Sequence, residues 1–166
     1  AGRKFGTGGS EEQTWAMNVL APALVCEHFK ESRIVAFSTG CVYPLMSVKE
    51  GGCSEEVAPA PVGEYSQSCL GRERVFEYYS KKNGTKVLLF RLNYSIDLRY
   101  GVLHDIASNI AAGEPVNNTV GFFNCIWQGD AKYWGDRAPT LFPVCGRFFG
   151  GSFILKNLDI VMVCRY

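Results

Sequence analysis

The side chains able to do chemistry gather in two stretches of this sequence. One is Phe37-Ser38-Thr39-Gly40-Cys41-Val42-Tyr43-Pro44, and the other is Tyr65-Ser66-Gln67-Ser68-Cys69-Leu70-Gly71-Arg72-Glu73. Together they offer hydroxyls, phenols, thiols, a guanidinium and a carboxylate, groups that hydrogen-bond a substrate oxygen or exchange a proton. The seven cysteines (Cys26, Cys41, Cys53, Cys69, Cys125, Cys145, Cys164) are scattered, and none forms a Cys-x-x-Cys pair. Only His28 and His104 could add nitrogen ligands, so the spacing argues against zinc and no metal is expected. No histidine is near Cys41 or Cys69 in sequence, which makes both small core fillers rather than nucleophiles.

The elements that must position these groups follow from periodicity and punctuation. Ser10-Glu11-Glu12-Gln13 has the form of a capping box, and Trp15, Val19, Leu20, Leu24, Val25 and Phe29 recur near helical spacing. A helix is therefore predicted to about Lys30, interrupted by Pro22, whose missing N–H leaves the Asn18 carbonyl without its helical partner. Arg33 to Ser38 is a short apolar run that suits a buried parallel strand. The stretch from Pro44 to Glu64, rich in Pro, Gly, Ser and Glu, is expected to be a long functional loop. A helix from about Tyr65 to Lys82 stops at Asn83-Gly84, Lys86 to Leu92 is a second buried strand, Val102 to Ala112 a third helix, and Asn118 to Trp127 holds a further strand. Beyond about Lys132 neither period lasts, and only Gly151 to Cys164 suggests more strand. Helix and strand alternate, which argues for βαβ units on a parallel sheet, where ligands bind beyond the carboxyl ends of the strands. Both chemistry-bearing stretches fall there.

Hydrophobic residues make up 47% of the 166 and charged residues 20%, the balance of a globular protein. The 17 basic and 16 acidic residues leave a net charge of +1 with no Lys/Arg run, so nucleic acid is not an expected partner. No apolar stretch approaches the ~20 residues needed to span a bilayer, and Ala1-Gly2-Arg3-Lys4-Phe5-Gly6 lacks the apolar core of an export signal. A cytoplasmic protein with reduced thiols and no membrane partner is expected.

On its order and spacing, roughly from Lys4 to Ala131, the chain resembles the NAD-dependent epimerase/dehydratase family of the extended short-chain dehydrogenase/reductase superfamily. Thr39 stands before Val42-Tyr43, a Pro-rich loop follows, and Tyr65, Ser68 and Glu73 fall on the frame of that family's Tyr-x-x-Ser-Lys helix. Trp15-Ala16-Met17-Asn18-Val19 is similar to its Asn-bearing helix, and Arg91-Leu92-Asn93 with Tyr100-Gly101 to the segment after its next strand. The resemblance implies a partial Rossmann-type doubly wound parallel α/β sheet over residues 1–131, with 132–166 a divergent, unassigned tail. It implies an oxidoreductase with NAD or NADP as cofactor and a sugar nucleotide as substrate. Tyr65 would exchange a proton while hydride passes between substrate and nicotinamide, Thr39 would hydrogen-bond the substrate oxygen, and the Asn18 carbonyl would hold a relaying water. The cofactor-binding positions by the same resemblance are Tyr65, Cys69 and Arg72.

One position departs from the frame: the family's lysine is Cys69 here. Tyrosine titrates near ~10 unperturbed, and a neighbouring cation is the direct way to make it a usable base. Arg72, two turns beyond Tyr65 on a similar face, is the candidate substitute. A literal Tyr-x-x-x-Lys at Tyr78 and Lys82 lies at the far end of the helix and reads as a chance match. The sequence also lacks a strand-borne Gly-x-x-Gly-x-x-Gly turn, since Gly6-Thr7-Gly8-Gly9 precedes the Asn-bearing helix. The sheet is thus expected to lack its N-terminal βαβ units, and the chain to be an incomplete piece, inactive alone. A non-catalytic nucleotide- or partner-binding relative and a ligand-free structural fragment are the alternatives. Monomer and homodimer stay open.

Overall fold

The computed structural model describes residues 2–3, 9–46, 53–118 and 125–133, and the backbone of 146–150. The first helical region is continuous in space but changes type. Helix α1 (Glu11–Trp15) passes into a π-helical turn (Ala16–Leu20) and then α2 (Ala21–His28). The expected capping box does not form. Ser10 is the N-cap but its side chain makes no cap bond. The Gln13 amide oxygen instead accepts from Arg3 Nη1 at 2.7 Å, and Glu11 accepts from the Gly9 N–H at 3.1 Å. Pro22 does not break the helix either. In the wider turn the Ala21 N–H donates to the Ala16 carbonyl, five residues back. Pro22 then falls in the first turn of α2, where a missing N–H is harmless.

β1 (Arg33–Thr39) and β2 (Lys86–Leu92) pair in parallel from Arg33↔Lys86 to Thr39↔Leu92. β5 (Gly146–Gly150) lies parallel on the other side of β2, giving the order β1-β2-β5. That strand was not legible: five residues bracketed by glycines show no alternation. The strand expected within Gly151 to Cys164 lies outside the described residues. A second, two-stranded parallel sheet joins β3 (Tyr94–Ile96) to β4 (Cys125–Trp127).

The crossover from β1 to β2 carries α3 (Gly63–Asn83), which begins two residues before the expected Tyr65 and ends at Gly84 in the left-handed region, φ 73°. Packed on α2 and on the sheet, α3 explains the unbroken apolar run of β2. Val87 and Leu89 face Cys26, Ala36 and Phe76 on one side. Leu88 and Phe90 form a separate buried cluster with Val35 and Leu92. A strand buried on both faces cannot alternate apolar with polar residues. α4 (Val102–Ala112) follows β3, as its spacing predicts. No helix among the described residues is long and apolar enough to cross a membrane.

Candidate active site at the carboxyl ends of the strands

β1 ends at Thr39, which caps the 3-10 turn Gly40–Val42 by accepting the Cys41 N–H on its hydroxyl at 3.2 Å. A Cβ at Gly40 would stand 2.1 Å from Asn93 Oδ1, just past the end of β2, so a larger residue there would have to displace the Asn93 side chain. The loop then leads to Tyr65 in the first turn of α3. Its phenol lies close enough to the side chains of both Thr39 and Cys69 to interact with them. The hydroxyl and the phenol singled out from sequence are therefore neighbours where β1 finishes.

Cys69 is 1% exposed and packs in an apolar cluster with Val42, Tyr43 and Cys53. Burial, first, and then the neighbouring Cys69 and Cys41 push the Tyr65 phenol well above its ordinary range. Burial likewise raises the Cys69 thiol, against the opposing pull of the Arg72 guanidinium. A phenol beside thiols, with burial dominant, ionises less readily than one beside an ammonium.

Asn18 reaches the same cluster from the π-helical turn and is fully buried. Its Nδ2 donates to Ser68 Oγ at 2.9 Å, and Ser68 donates to the Tyr65 carbonyl at 2.8 Å. Its Oδ1 accepts from the Arg3 N–H at 2.8 Å and from Arg72 Nη2 at 2.5 Å. Arg72 also donates from Nε to the Asn18 carbonyl at 3.3 Å and from Nη1 to the Phe37 carbonyl at 2.8 Å. The guanidinium thus ties the Asn18 turn to β1. Pro22, four residues on, has no N–H to give the Asn18 carbonyl, which accepts from Arg72 Nε instead.

Two turns further along α3, a buried network escaped sequence reasoning. Glu73 takes Arg91 Nε at 2.8 Å and Nη2 at 2.6 Å. Ser38 Oγ donates to the same carboxylate at 2.5 Å. Arg91 also donates to the Tyr43 hydroxyl and lies over that ring, 4.6 Å from its centroid. The signal was available: a lone arginine inside the apolar run of β2 must find a partner once buried. At the other end of α3, the Lys82 ammonium sits 5.6 Å from the Tyr78 ring centroid and 5.4 Å from that of Tyr79, a surface stacking contact. Among the described residues no group of three or more His, Cys, Asp or Glu could hold a metal ion.

The parallel sheet, its α3 crossover and a hydroxyl–phenol pair at the strand ends define a partial Rossmann-type α/β fold. Solved structures of NAD-dependent sugar-nucleotide epimerases and dehydratases share it. The dTDP-glucose 4,6-dehydratase of Streptomyces venezuelae, with NAD bound, superposes with a TM-score of 0.75 at 15% identity, over 90% of this chain and 49% of that one. The UDP-glucuronic acid 4-epimerase of Bacillus cereus, in complex with UDP-glucuronic acid and NAD, gives 0.72 at 18% identity, over 84% and 47%. The Thermus thermophilus UDP-glucose 4-epimerase, with NAD, gives 0.70 at 22% identity, over 90% and 53%. The chain thus spans about half the length of these structures, and at such identities the likeness establishes the fold. No protein-family model and no curated protein matches the chain.

Proposed function

We propose that this chain is part of an NAD(P)-dependent oxidoreductase of the epimerase/dehydratase kind, cytoplasmic and acting on a sugar nucleotide. The observation that carries the reading is the closeness of the Thr39 hydroxyl and the Tyr65 phenol at the carboxyl end of β1. In this reading Thr39 holds the substrate oxygen and Tyr65 exchanges its proton. The Asn18 carbonyl holds a relaying water. The cofactor, when bound, supplies the hydride chemistry.

The residues present fit that cofactor only in part. Cys69 supplies no positive charge, and the Arg72 guanidinium is committed to Asn18 and Phe37. No Gly-x-x-Gly-x-x-Gly turn is present to cradle a pyrophosphate. These 166 residues are therefore expected to be inactive alone. Calorimetric titration should show no micromolar binding of NAD or NADP, and such binding would contradict the argument from the missing turn. In the gene product read from the flanking genomic DNA, Cys69→Lys should raise hydride transfer by at least tenfold. A second reading, favoured by Cys69 and the raised Tyr65 phenol, is a non-catalytic relative that binds nucleotide or a partner; no gain from the lysine in an inactive protein would select it.

A further inference from the structure

The residues on either side of the Thr39 turn share one anchor. Ser38, just before it, donates from Oγ to the Glu73 carboxylate at 2.5 Å. Tyr43, just after it, accepts from Arg91 Nη1 on its hydroxyl, with the guanidinium 4.6 Å from the ring centroid. Glu73 and Arg91 are joined twice, through Nε at 2.8 Å and Nη2 at 2.6 Å, and both are fully buried. Glu73 comes from α3 and Arg91 from β2, where Arg91 stands opposite Ser38 in the strand register. Between the two anchored residues the turn has bonds of its own. Thr39 Oγ accepts the Cys41 N–H at 3.2 Å, and the Gly40 carbonyl accepts the Tyr43 N–H at 3.1 Å. One buried ion pair thus holds both ends of the segment that presents Thr39.

We propose that Ser38 and Tyr43 are positioning residues, through which the Glu73–Arg91 pair sets where the Thr39 hydroxyl stands. Cohesion alone does not call for such a pair, because well-packed apolar residues of similar volume hold elements together about as well as a buried ion pair. Directional bonds do what apolar contact cannot: they fix the places of named atoms. Here the Glu73 carboxylate accepts both the guanidinium fork and the Ser38 hydroxyl, so Ser38 is located relative to α3 and β2 together. The remaining guanidinium nitrogen locates Tyr43 in the same frame. Either arm alone would leave the turn free to pivot about the other end. With both made, Thr39 is fixed from two sides. That its position serves a substrate oxygen rests on the function proposed above, whereas the clamp itself does not.

The test follows the Cys41 amide in proton–nitrogen correlation spectra of the 166-residue chain, because that N–H is bonded to the Thr39 hydroxyl. Thr39→Val removes the hydroxyl and marks where the unbonded amide resonates. Ser38→Ala together with Tyr43→Phe removes both arms, leaves the ion pair intact and should move the Cys41 amide most of the way to that mark. Each single change keeps one arm and should move it less far in the same direction. Circular dichroism checks the folds, and the single variants carry the test should the double one unfold. A lowered urea midpoint with the Cys41 amide unmoved would overturn the proposal, since the pair would then hold the fold and not the turn. An amide unmoved by Thr39→Val would overturn it equally. In the complete gene product the double change should lower kcat for hydride transfer by about tenfold or more. An unchanged kcat with a displaced amide would remove the positioning role. A gene product without hydride transfer would instead end the proposed function, and the amide spectrum would still decide the clamp.

Discussion

Along α3, a fully buried carboxylate and a half-buried phenol about 12 Å apart, eight residues at ~1.5 Å each, are treated in opposite ways. Glu73 meets a full complement: the Arg91 fork, the Ser38 hydroxyl and, through Arg91, the Tyr43 phenol. Tyr65 interacts with uncharged groups, the Thr39 hydroxyl and the Cys69 thiol, and burial drives its phenol upward. The first arrangement ties α3 to both strand ends; the second occupies the place where a proton would move. The framework that aims the cluster is therefore in place, while among the described residues no cation figures in what shifts the phenol. Positioning and activation are separable demands on one helix.

If the Glu73 end is the framework, breaking it should cost the most. Glu73→Ala leaves the Arg91 guanidinium buried and unpaired, for which a loss of about 3–5 kcal/mol is expected, read from urea denaturation. Replacing both partners by apolar residues, Glu73→Leu with Arg91→Met, should cost far less than the two single changes together, because no charge is left stranded. A single substitution that costs under about 1 kcal/mol would remove the distinction between the two ends. The next largest effect belongs to Asn18, which joins α3 to the π-helical turn through Ser68 and Arg72. Asn18→Ala removes the donor to Ser68 Oγ and one of the three acceptors of Arg72. About 2 kcal/mol should be lost, by the same measurement. A cost near zero would mean that the turn is held by packing alone.

How much of this was legible varies with the kind of information each feature carries. β1, β2, α3 and α4 announce themselves because a continuous apolar run or a four-residue step has few other structural solutions. Thr39 and Tyr65 could be placed together because both follow strand ends on a parallel sheet. The π-helical turn could not be read, since proline tells only which bond is lost and not how the chain compensates. Ser10 misled because a capping box needs its glutamine unengaged, and Arg3 takes Gln13. β5 was hidden because Gly-Arg-Phe-Phe-Gly has no period of its own and depends on β2 as a template. Arg72 was read as a possible cofactor-side cation from helical spacing alone. Which acceptors so long a side chain reaches is decided by the fold, here Asn18 and Phe37.

The smallest expected effect is the one that probes the unactivated end directly. Tyr65→Phe removes the hydroxyl that interacts with Thr39 and Cys69 and should cost about 1 kcal/mol near neutral pH. The pH dependence separates it from any ordinary hydrogen-bond deletion. Because the folded phenol is held above its unfolded value of ~10, the folded chain keeps a proton that the unfolded chain releases. Tyr65 therefore contributes its full stability below about pH 10, and that contribution falls as pH rises toward the folded value. The gap between the chain and Tyr65→Phe should shrink above about pH 10. Cys69, also raised chiefly by burial from 9.0, acts with the same sign in both proteins and largely cancels in the difference. Denaturation midpoints at a series of pH values would show this. A gap that widens with alkali would mean that the phenol ionises readily when folded, and the two ends of α3 would then be alike in having a cation close at hand.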